Sequence, residues 1–290
     1  MNYPDDLQEQ VEGYLESLRF PAPPAAGGLV EAMRYSLLAG GKRVRPVLAL
    51  ATARSLGADP ATLLPFAAAL ELVHTYSLIH DDLPAMDDDG LRRGRPTCHV
   101  AFGEDVAILA GDALYAEAFR LALGEQEGTE AARLAACAEL ADATGVNGMV
   151  GGQFIDVREQ AAPGGEGLRE LHSLKTGRLI AVSVEGPCLL LGLDGDQLDA
   201  YRRFARELGV LFQIVDDVLD VTASDEELGK PSGSDERHGK RTYVTEYGLE
   251  EARSLAATSR DQALEALREA AGDNGGELEQ VARFIADRES

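Results

Sequence analysis

Apolar residues recur with the spacing of an α-helix along most of the chain, and this periodicity constrains the fold more than any other feature of the sequence. The clearest case is the segment 63–78, whose apolar positions include Leu63, Leu64, Ala67, Ala68, Leu70, Leu72, Val73, Tyr76 and Leu78. The strict alternation of a half-buried strand is nearly absent. The sequence therefore predicts an all-α fold.

The same pattern predicts helices elsewhere, and Gly- and Pro-rich breaks separate them. The predicted ranges are 5–19, 29–39, 44–56, 99–124, 129–148, 166–191, 195–221, 242–256, 258–271 and 276–288. None of the breaks is long enough for a domain linker, and no repeat of fixed period is present. We expect one domain over residues 1–290.

Composition excludes several classes of function. A formal charge of -23 argues against nucleic acid and anionic membranes as partners, since both require a basic surface. No apolar run approaches the roughly 20 residues of a membrane span, and the first residues lack a basic start followed by an apolar stretch. Three cysteines, odd in number and widely spaced, are typical of reduced thiols. These features predict a cytoplasmic protein.

A first aspartate cluster ends the apolar helix around residues 63–78. Asp81, Asp82 and 87–89 place five carboxylates within nine positions. A step of six residues does not return to the same face of a regular helix. Pro84 removes a backbone donor and disturbs the preceding turn, so we expect a bend there that brings Asp87 back toward Asp81.

A second cluster lies within another apolar helical segment. At about 100° per residue, Asp216 and Asp220 are almost in line, one turn apart, with Asp217 beside them. A solvated surface face is the usual interpretation of an acidic run. Here the surroundings are apolar, and like-charged carboxylates on such a helix destabilise the fold unless a cation neutralises them.

Carboxylate oxygens select hard cations, which are magnesium, manganese or calcium. Neither cluster has the alternating ligands, central glycine and closing glutamate of a calcium-binding loop. Magnesium usually takes few carboxylates and completes its shell with water and phosphate oxygen. The clusters therefore predict a magnesium site shared with a phosphate ligand.

Lysines and arginines gather near both clusters and at glycine-rich turns. These cations are Lys42, Arg43, Arg45, Arg92, Arg93, Arg95, Lys175, Arg178, Lys230 and Lys240. Ion pairing with the aspartates explains some of them. The others suggest two modes of phosphate binding, one by direct cation contact and one through bridging metal ions. His74 and Gln213 lie on the two aspartate-bearing helices, where each is either a ligand contact or a satisfied internal group.

These residues match a known family: the sequence resembles the short-chain trans-isoprenyl diphosphate synthases, and among them the bacterial farnesyl diphosphate synthases most closely. The matching motifs are GGKRVRP at 40–46, HTYSLIHDDLPAMD at 74–87, RRGRPT at 92–97, KTG at 175–177, QIVDDVLD at 213–220, and the Gly-Lys pairs at 229–230 and 239–240. The match covers nearly the whole chain.

The resemblance implies a single-domain helical bundle of the isoprenoid synthase type with a deep central pocket, a homodimer, and three Mg²⁺ ions for which Mn²⁺ substitutes. It implies metal ligation by Asp81, Asp87 and Asp216, with Asp82, Asp217 and Asp220 in support. The implied allylic diphosphate contacts are Arg92, Lys175, Thr176, Gln213, Lys230 and Lys240. The implied isopentenyl diphosphate contacts are Lys42, Arg45, His74 and Arg93. Catalytic assistance would come from Asp81, Asp82, Asp87, Arg92, Lys175, Asp216 and Lys230.

The implied reaction joins isopentenyl diphosphate to dimethylallyl or geranyl diphosphate and releases pyrophosphate. Ser77, one turn before Asp81, and Tyr76 beside it would limit product length, and an aromatic ring at this place resembles the farnesyl diphosphate synthases. Three alternatives remain open: a geranylgeranyl diphosphate synthase, a terpene cyclase, and a non-catalytic subunit of a heteromeric synthase. A cyclase would not need the second diphosphate site, and a non-catalytic subunit would be expected to lack one aspartate motif.

Overall fold

The computed structural model describes residues 3–223 and 240–287, and almost all regular structure in them is helical. The helices are α1 Asp5–Ser17, α2 Gly27–Leu37, α3 Val44–Ser55, α4 Leu64–Asp81, α5 Cys98–Phe102, α6 Glu104–Gly124, α7 Glu130–Thr144, α8 Met149–Val157, α9 Gly164–His172, α10 Arg178–Leu190, α11 Gly195–Thr222, α12 Tyr243–Tyr247, α13 Leu249–Ala271 and α14 Gly276–Asp287. Two-residue strands, β1 Leu91–Arg92 and β2 Arg95–Pro96, pair antiparallel in a short hairpin. The predicted all-α class is confirmed.

Helix α4 forms the centre of the bundle. It packs against α3, α6 and α10, and side chains on most of its circumference, such as Phe66, Leu70 and Val73, are fully buried. Helix α11 packs against α10 and α13. The aspartate clusters therefore lie on two helices that the core holds on several sides.

The segment Pro60–Asp81 is long and apolar enough to cross a membrane by length and composition alone, contrary to the expectation from sequence. However, 67% of its apolar window is buried within the chain. Such burial is usual for a core helix, so this one segment is weak evidence for a membrane span.

Several predicted helix boundaries are wrong. The predicted helix 99–124 is divided at Gly103, and the predicted helix 166–191 contains a π-helical turn at Ser173–Gly177. The break expected near residue 257 lies instead at Gly248, whose φ of 81° favours glycine. Helix α8 follows the end of α7 and was not predicted. The reason is local composition, since glycines are frequent at residues 145–152 and disfavour helix.

Candidate active site

The first aspartate cluster bends back on itself at the end of α4. The helix ends at Asp81, before Pro84, and the backbone N–H of Asp87 donates a 2.9 Å hydrogen bond to the carbonyl of Asp81. The N–H of Asp88 donates to the carbonyl of Leu83 at 3.2 Å. The predicted bend is confirmed: Asp87 returns to the vicinity of Asp81.

The Asp81 carboxylate is the most strongly perturbed acid of this cluster. Its pKa is raised to about 6: burial is the largest cause, the neighbouring carboxylates of Asp87 and Asp82 act in the same direction, and Lys175 and Arg92 oppose the shift. Its Oδ1 accepts a 2.8 Å hydrogen bond from the Nε2 of Gln153 on α8. A half-buried, partly hydrogen-bonded carboxylate in this environment would gain from a nearby cation.

Asp82 and Asp87 are each held by a cation. The Nε of Arg92 donates to both carboxylate oxygens of Asp82 at 2.9 Å, and burial raises the pKa of Asp82 although Arg92 lowers it. Asp87 accepts from the Nζ of Lys240 at 3.1 Å. The Asp87 contact joins the first motif to the chain that leads into α12.

The three aspartates of α11 have different surroundings. Asp216 is exposed to the cavity described below, whereas Asp217 and Asp220 are buried. Asp217 accepts 2.7 Å hydrogen bonds from the backbone N–H of Tyr243, at the start of α12, and from the Nε2 of Gln213. Asp217 therefore connects α11 to α12, while Asp216 is open to a ligand.

The π-helical turn Ser173–Gly177 brings its polar side chains to the same cavity. The Nζ of Lys175 donates to Asp156 at 2.5 Å, and the hydroxyl of Thr176 donates to the Oε1 of Gln213 at 3.0 Å. Helix α8 packs directly on this turn, because a Cβ at Gly152 would lie 2.3 Å from the backbone nitrogen of Lys175. The turn is thus fixed between α8 and α11.

The three cations of the GGKRVRP motif have different surroundings in the folded chain. Arg43 has a left-handed backbone and is buried, with 2.6 Å and 2.8 Å ion pairs to Glu71 and Glu12. Glu71 is itself 2% exposed. Arg43 is therefore neutralised within the protein and has mainly a structural role. Lys42, Arg43 and Arg45 all line the cavity, but the guanidinium of Arg43 is held by these two carboxylates.

Arg45 lies in a cluster of basic groups. Its pKa is lowered to about 10: burial is the largest cause, Glu71 and Asp216 oppose the shift, and nearby Arg93 acts in the same direction as burial. Burial and nearby arginines also lower the pKa of Arg93. The His74 pKa is lowered by burial and then by Arg45 and Arg93, so this imidazole is neutral. These desolvated, mutually repelling charges favour an anionic ligand.

One cavity of about 1330 Å³ connects these groups. The predicted site residues that line it are Lys42, Arg45, His74, Tyr76, Ser77, Asp81, Arg92, Arg93, Lys175, Thr176, Gln213 and Asp216. The predicted site residues that do not line it are Asp82, Asp87, Asp217, Asp220 and Lys240. Lys230 lies outside the described residues. The two aspartate-bearing helices therefore face a common space, through Asp81 and Asp216.

Sequence reasoning missed the contribution of α8. Gln153 contacts Asp81, Asp156 contacts Lys175, and Phe154 and Val157 add apolar cavity wall. Two polar residues three apart, on an otherwise apolar segment, were the signal that could have identified this helix.

The donor set fits magnesium shared with a diphosphate. Residues 3–223 and 240–287 contain no group of three or more His, Cys, Asp or Glu side chains arranged to hold a metal by themselves. Magnesium bound through one or two carboxylates plus phosphate oxygens needs no such protein cage. The pKa of Asp81 remains raised although Lys175 and Arg92 lower it, so the charge of this carboxylate is only partly compensated, and Asp216 faces the same cavity.

Comparison with known proteins gives a consistent result. Residues 27–285 match the family model of the polyprenyl synthetases. The chain is 44% identical over 292 residues to farnesyl diphosphate synthase of Geobacillus stearothermophilus, covering 98% of this chain and 94% of that one. It is 46% identical over 263 residues to a chloroplastic geranylgeranyl pyrophosphate synthase of Capsicum annuum, covering 90% and 71% of the two chains. The crystal structure of a Helicobacter pylori geranyltransferase complexed with magnesium and isoprenyl diphosphate superposes with a TM-score of 0.88 at 30% identity, covering 98% of each chain.

Proposed function

The chain belongs to the polyprenyl synthetase family and is a trans-prenyltransferase, and on this premise we propose that it condenses isopentenyl diphosphate with dimethylallyl or geranyl diphosphate to give farnesyl diphosphate. The observation that carries the proposal is the common cavity. Asp81 and Asp216 line it beside a separate cluster of desolvated cations that includes Arg45 and Arg93. A reaction between two diphosphates requires two such anion sites.

The allylic diphosphate would bind between the two aspartate motifs. Arg92, Lys175, Thr176 and Gln213 line this part of the cavity, and we assign Lys230 and Lys240 to the same ligand. Asp81, Asp87 and Asp216 would hold three Mg²⁺ ions, with Asp82, Asp217 and Asp220 in support; the magnesium and isoprenyl diphosphate of the Helicobacter pylori complex support this assignment. When bound, the ions supply stabilisation of the negative charge on a departing diphosphate.

Isopentenyl diphosphate would bind at the basic cluster without metal. Lys42, Arg45 and Arg93 supply the positive charge, and neutral His74 supplies a hydrogen-bonding group beside them. A diphosphate would offset the repulsion among these cations. This second site distinguishes a chain-elongating enzyme from a terpene cyclase.

The chain's own residues then favour ionisation and protect the carbocation. Lys175 and Arg92 stabilise charge on the allylic diphosphate as its carbon–oxygen bond breaks. The double bond of isopentenyl diphosphate forms the new carbon–carbon bond to the allylic cation, and the proton lost next passes to the released pyrophosphate. Phe154, Val157 and Tyr76 form apolar cavity wall, which excludes water from the cation.

Product length would be limited by the side chains that line the cavity about one turn before Asp81 on α4. The ring of Tyr76 and the small side chain of Ser77 both line the cavity there. A buried aromatic ring favours the shorter farnesyl product. A geranylgeranyl product is the second candidate, because a relative of similar identity is a geranylgeranyl pyrophosphate synthase. A non-catalytic subunit is the least favoured alternative, since both aspartate motifs are intact.

We assign the chain to a single domain that forms a homodimer in the cytoplasm. One hydrophobic core runs from Tyr3 to Ile285, which supports the single domain. Ile108 and Leu109 on α6 are 45% and 56% exposed. Exposed apolar side chains of this kind favour burial against a second copy.

The test is incubation of the purified protein with isopentenyl diphosphate, each allylic primer and Mg²⁺, followed by chromatography of the dephosphorylated products. We expect farnesol as the main product, loss of turnover in Asp81→Asn and Asp216→Asn, and loss of turnover on chelation of the metal. Absence of any elongated product from every primer would overturn the proposal. Geranylgeraniol as the main product would support the second candidate instead.

A further inference from the structure

Residues 3–17, which we call the α1 segment, hold two successive peptides of the basic GGKRVRP motif. The hydroxyl of Tyr3 donates a 2.7 Å hydrogen bond to the backbone carbonyl of Lys42. The Nε2 of Gln8, on α1, donates a 3.0 Å hydrogen bond to the backbone carbonyl of Gly41. Both carbonyls lie in the loop between α2 and α3. The loop that carries Lys42 is therefore fixed by side chains more than 30 residues away in sequence.

The backbone of this loop needs such support. Gly41 has a φ of 124°, and Arg43 has a φ of 51°, in the left-handed region that side chains disfavour. A conformation of this kind persists only where the surrounding structure holds it. Glu12 of α1 supplies the third contact, because its carboxylate pairs with the Nε of Arg43 at 2.8 Å. Three consecutive loop residues are thus each held by one residue of the α1 segment.

The same loop supports a second cation of the basic cluster. A Cβ at Gly41 would lie 2.7 Å from the Cζ of Arg93, so the guanidinium of Arg93 lies directly against this glycine. The hydrogen bond from Gln8 fixes the carbonyl of the same residue. The position of Gly41 therefore affects where Arg93 can lie.

The side chain of Lys42 is also held, by two aromatic rings. Its Nζ lies 6.0 Å from the ring centroid of Tyr3 and 5.4 Å from that of Phe284 on α14. The two ring centroids are 4.7 Å apart. A lysine side chain is flexible, and a cation near two ring faces is attracted to both. Tyr3 therefore contacts Lys42 twice, through its hydroxyl at the backbone and through its ring at the ammonium group.

We propose that Tyr3 and Gln8 are positioning residues for isopentenyl diphosphate, acting through Lys42 and Arg93. The inference rests on the proposed binding of this diphosphate at the basic cluster. Lys42 and Arg93 line the cavity, whereas Tyr3 and Gln8 do not. The α1 segment thus acts on the ligand only through the motif that it holds. A merely structural contact would affect both substrates alike, whereas positioning affects the affinity for isopentenyl diphosphate alone.

The experiment measures KM for each substrate in Tyr3→Phe and Gln8→Leu, with the other substrate saturating. Each variant loses one hydrogen bond to the loop, so KM for isopentenyl diphosphate should rise by roughly 2- to 10-fold. KM for geranyl diphosphate and kcat should not change. Calorimetric titration with isopentenyl diphosphate in the presence of chelator should also show a raised Kd, because this site binds its ligand without metal.

The matched controls are Tyr14→Phe and Gln10→Leu, which make the same chemical changes on the same helix. The hydroxyl of Tyr14 contacts Glu125 at 3.4 Å instead of the loop, and Gln10 does not line the cavity. Neither control should change KM or Kd. Phe284→Leu removes one ring beside Lys42 but keeps apolar volume, and should raise KM for isopentenyl diphosphate by roughly 2- to 5-fold.

Three results would overturn the proposal: unchanged KM and Kd for isopentenyl diphosphate in both variants, an equal rise in KM for the two substrates, or the same rise in the controls. Thermal unfolding checks that each variant is folded. If one is not, the other decides, because the two hydrogen bonds are made to different carbonyls. Failure of the wild-type protein to elongate any primer would instead overturn the proposed function, and the calorimetric comparison would still test the role of the α1 segment.

Discussion

Gln153 donates a 2.8 Å hydrogen bond to the carboxylate of Asp81, and thereby connects α8 to the first aspartate motif. Gly152, the residue before Gln153 on α8, packs against the π-helical turn that carries Lys175. One short helix thus fixes the orientation of an acid and the position of a cation on the same side of the cavity.

Replacement of Gln153 by leucine should reduce turnover while leaving the fold intact. The change removes a hydrogen bond to a charged group, worth roughly 1.5–3 kcal/mol, so we expect turnover to fall by roughly 10- to 100-fold. The Mg²⁺ concentration for half-maximal rate should also rise, because Asp81 loses its orientation. Steady-state kinetics over a range of Mg²⁺ concentrations measures both.

Gln160→Leu is the matched control for this variant. It is the same chemical change, and Gln160 is exposed and does not line the cavity. It should leave both quantities unchanged. Equal behaviour of the two leucine variants would show that the Gln153 contact does not orient Asp81.

Asp216 and Asp217 are adjacent in sequence, but their replacement should have different effects, on turnover for Asp216 and on stability for Asp217. Asp217→Ala removes the acceptor for the Tyr243 N–H and for Gln213, and should lower the free energy of unfolding by about 1–3 kcal/mol. Asp216→Ala changes an exposed side chain and should alter that free energy by less than about 0.5 kcal/mol, yet abolish turnover. Urea unfolding and the prenyl transfer assay give the comparison, and similar stability losses in the two variants would contradict it.

The sequence predicted the bend of the first aspartate cluster better than it predicted the helix boundaries. Carboxylate spacing and Pro84 were sufficient for the bend that returns Asp87 to Asp81, because that bend depends on local backbone chemistry. Helix α8 was not predictable in the same way. Its glycine-rich start disfavours helix locally, and its stability depends on packing against the π-helical turn, which is distant in sequence.

The different roles of neighbouring cations also depend on tertiary contacts. Lys42, Arg43 and Arg45 are equivalent in the motif, but only the fold brings Glu71 to Arg43 and pairs its charge within the protein. Asp217 is a similar case, since its contact is the start of a helix 26 residues later. Local pattern identifies residue types and their spacing, whereas ion-pair partners require the folded chain.

The buried pair of Arg43 and Glu71 should be strongly coupled. Glu71→Leu leaves a buried guanidinium without its closest partner and should cost about 3–5 kcal/mol. The double variant Arg43→Met with Glu71→Leu should cost less than the sum of the two single changes, because it removes both charges. The exposed pair of Arg283 and Glu279 is the control, and its coupling should be about 0.3–0.5 kcal/mol. Denaturant unfolding of each double-mutant cycle measures the two coupling energies. Equal coupling energies would contradict the greater burial of the pair of Arg43 and Glu71.

The pKa of Asp81 predicts how stability depends on pH when no metal is present. Its pKa is raised from 3.8 in the unfolded chain to about 6 in the folded protein, chiefly by burial. The folded state therefore holds this proton more tightly. The stabilisation that comes from protonated Asp81 is fully present below pH 3.8 and is lost as pH rises through about 6. Two pKa units correspond to roughly 3 kcal/mol.

Asp81→Asn isolates this contribution, because the amide does not titrate while the other carboxylates are retained. With chelator present, the free energy of unfolding of the variant relative to wild type should increase between pH 4 and 7 by up to about 3 kcal/mol. Addition of Mg²⁺ and pyrophosphate at pH 7 should stabilise the wild type more than the variant, because the ligand compensates a charge that only the wild type carries. Thermal and urea unfolding with and without these ligands provide the measurement. A stability difference that is independent of pH would show that the Asp81 carboxylate is ionised without cost in the folded protein, and would remove the electrostatic reason for a cation beside it.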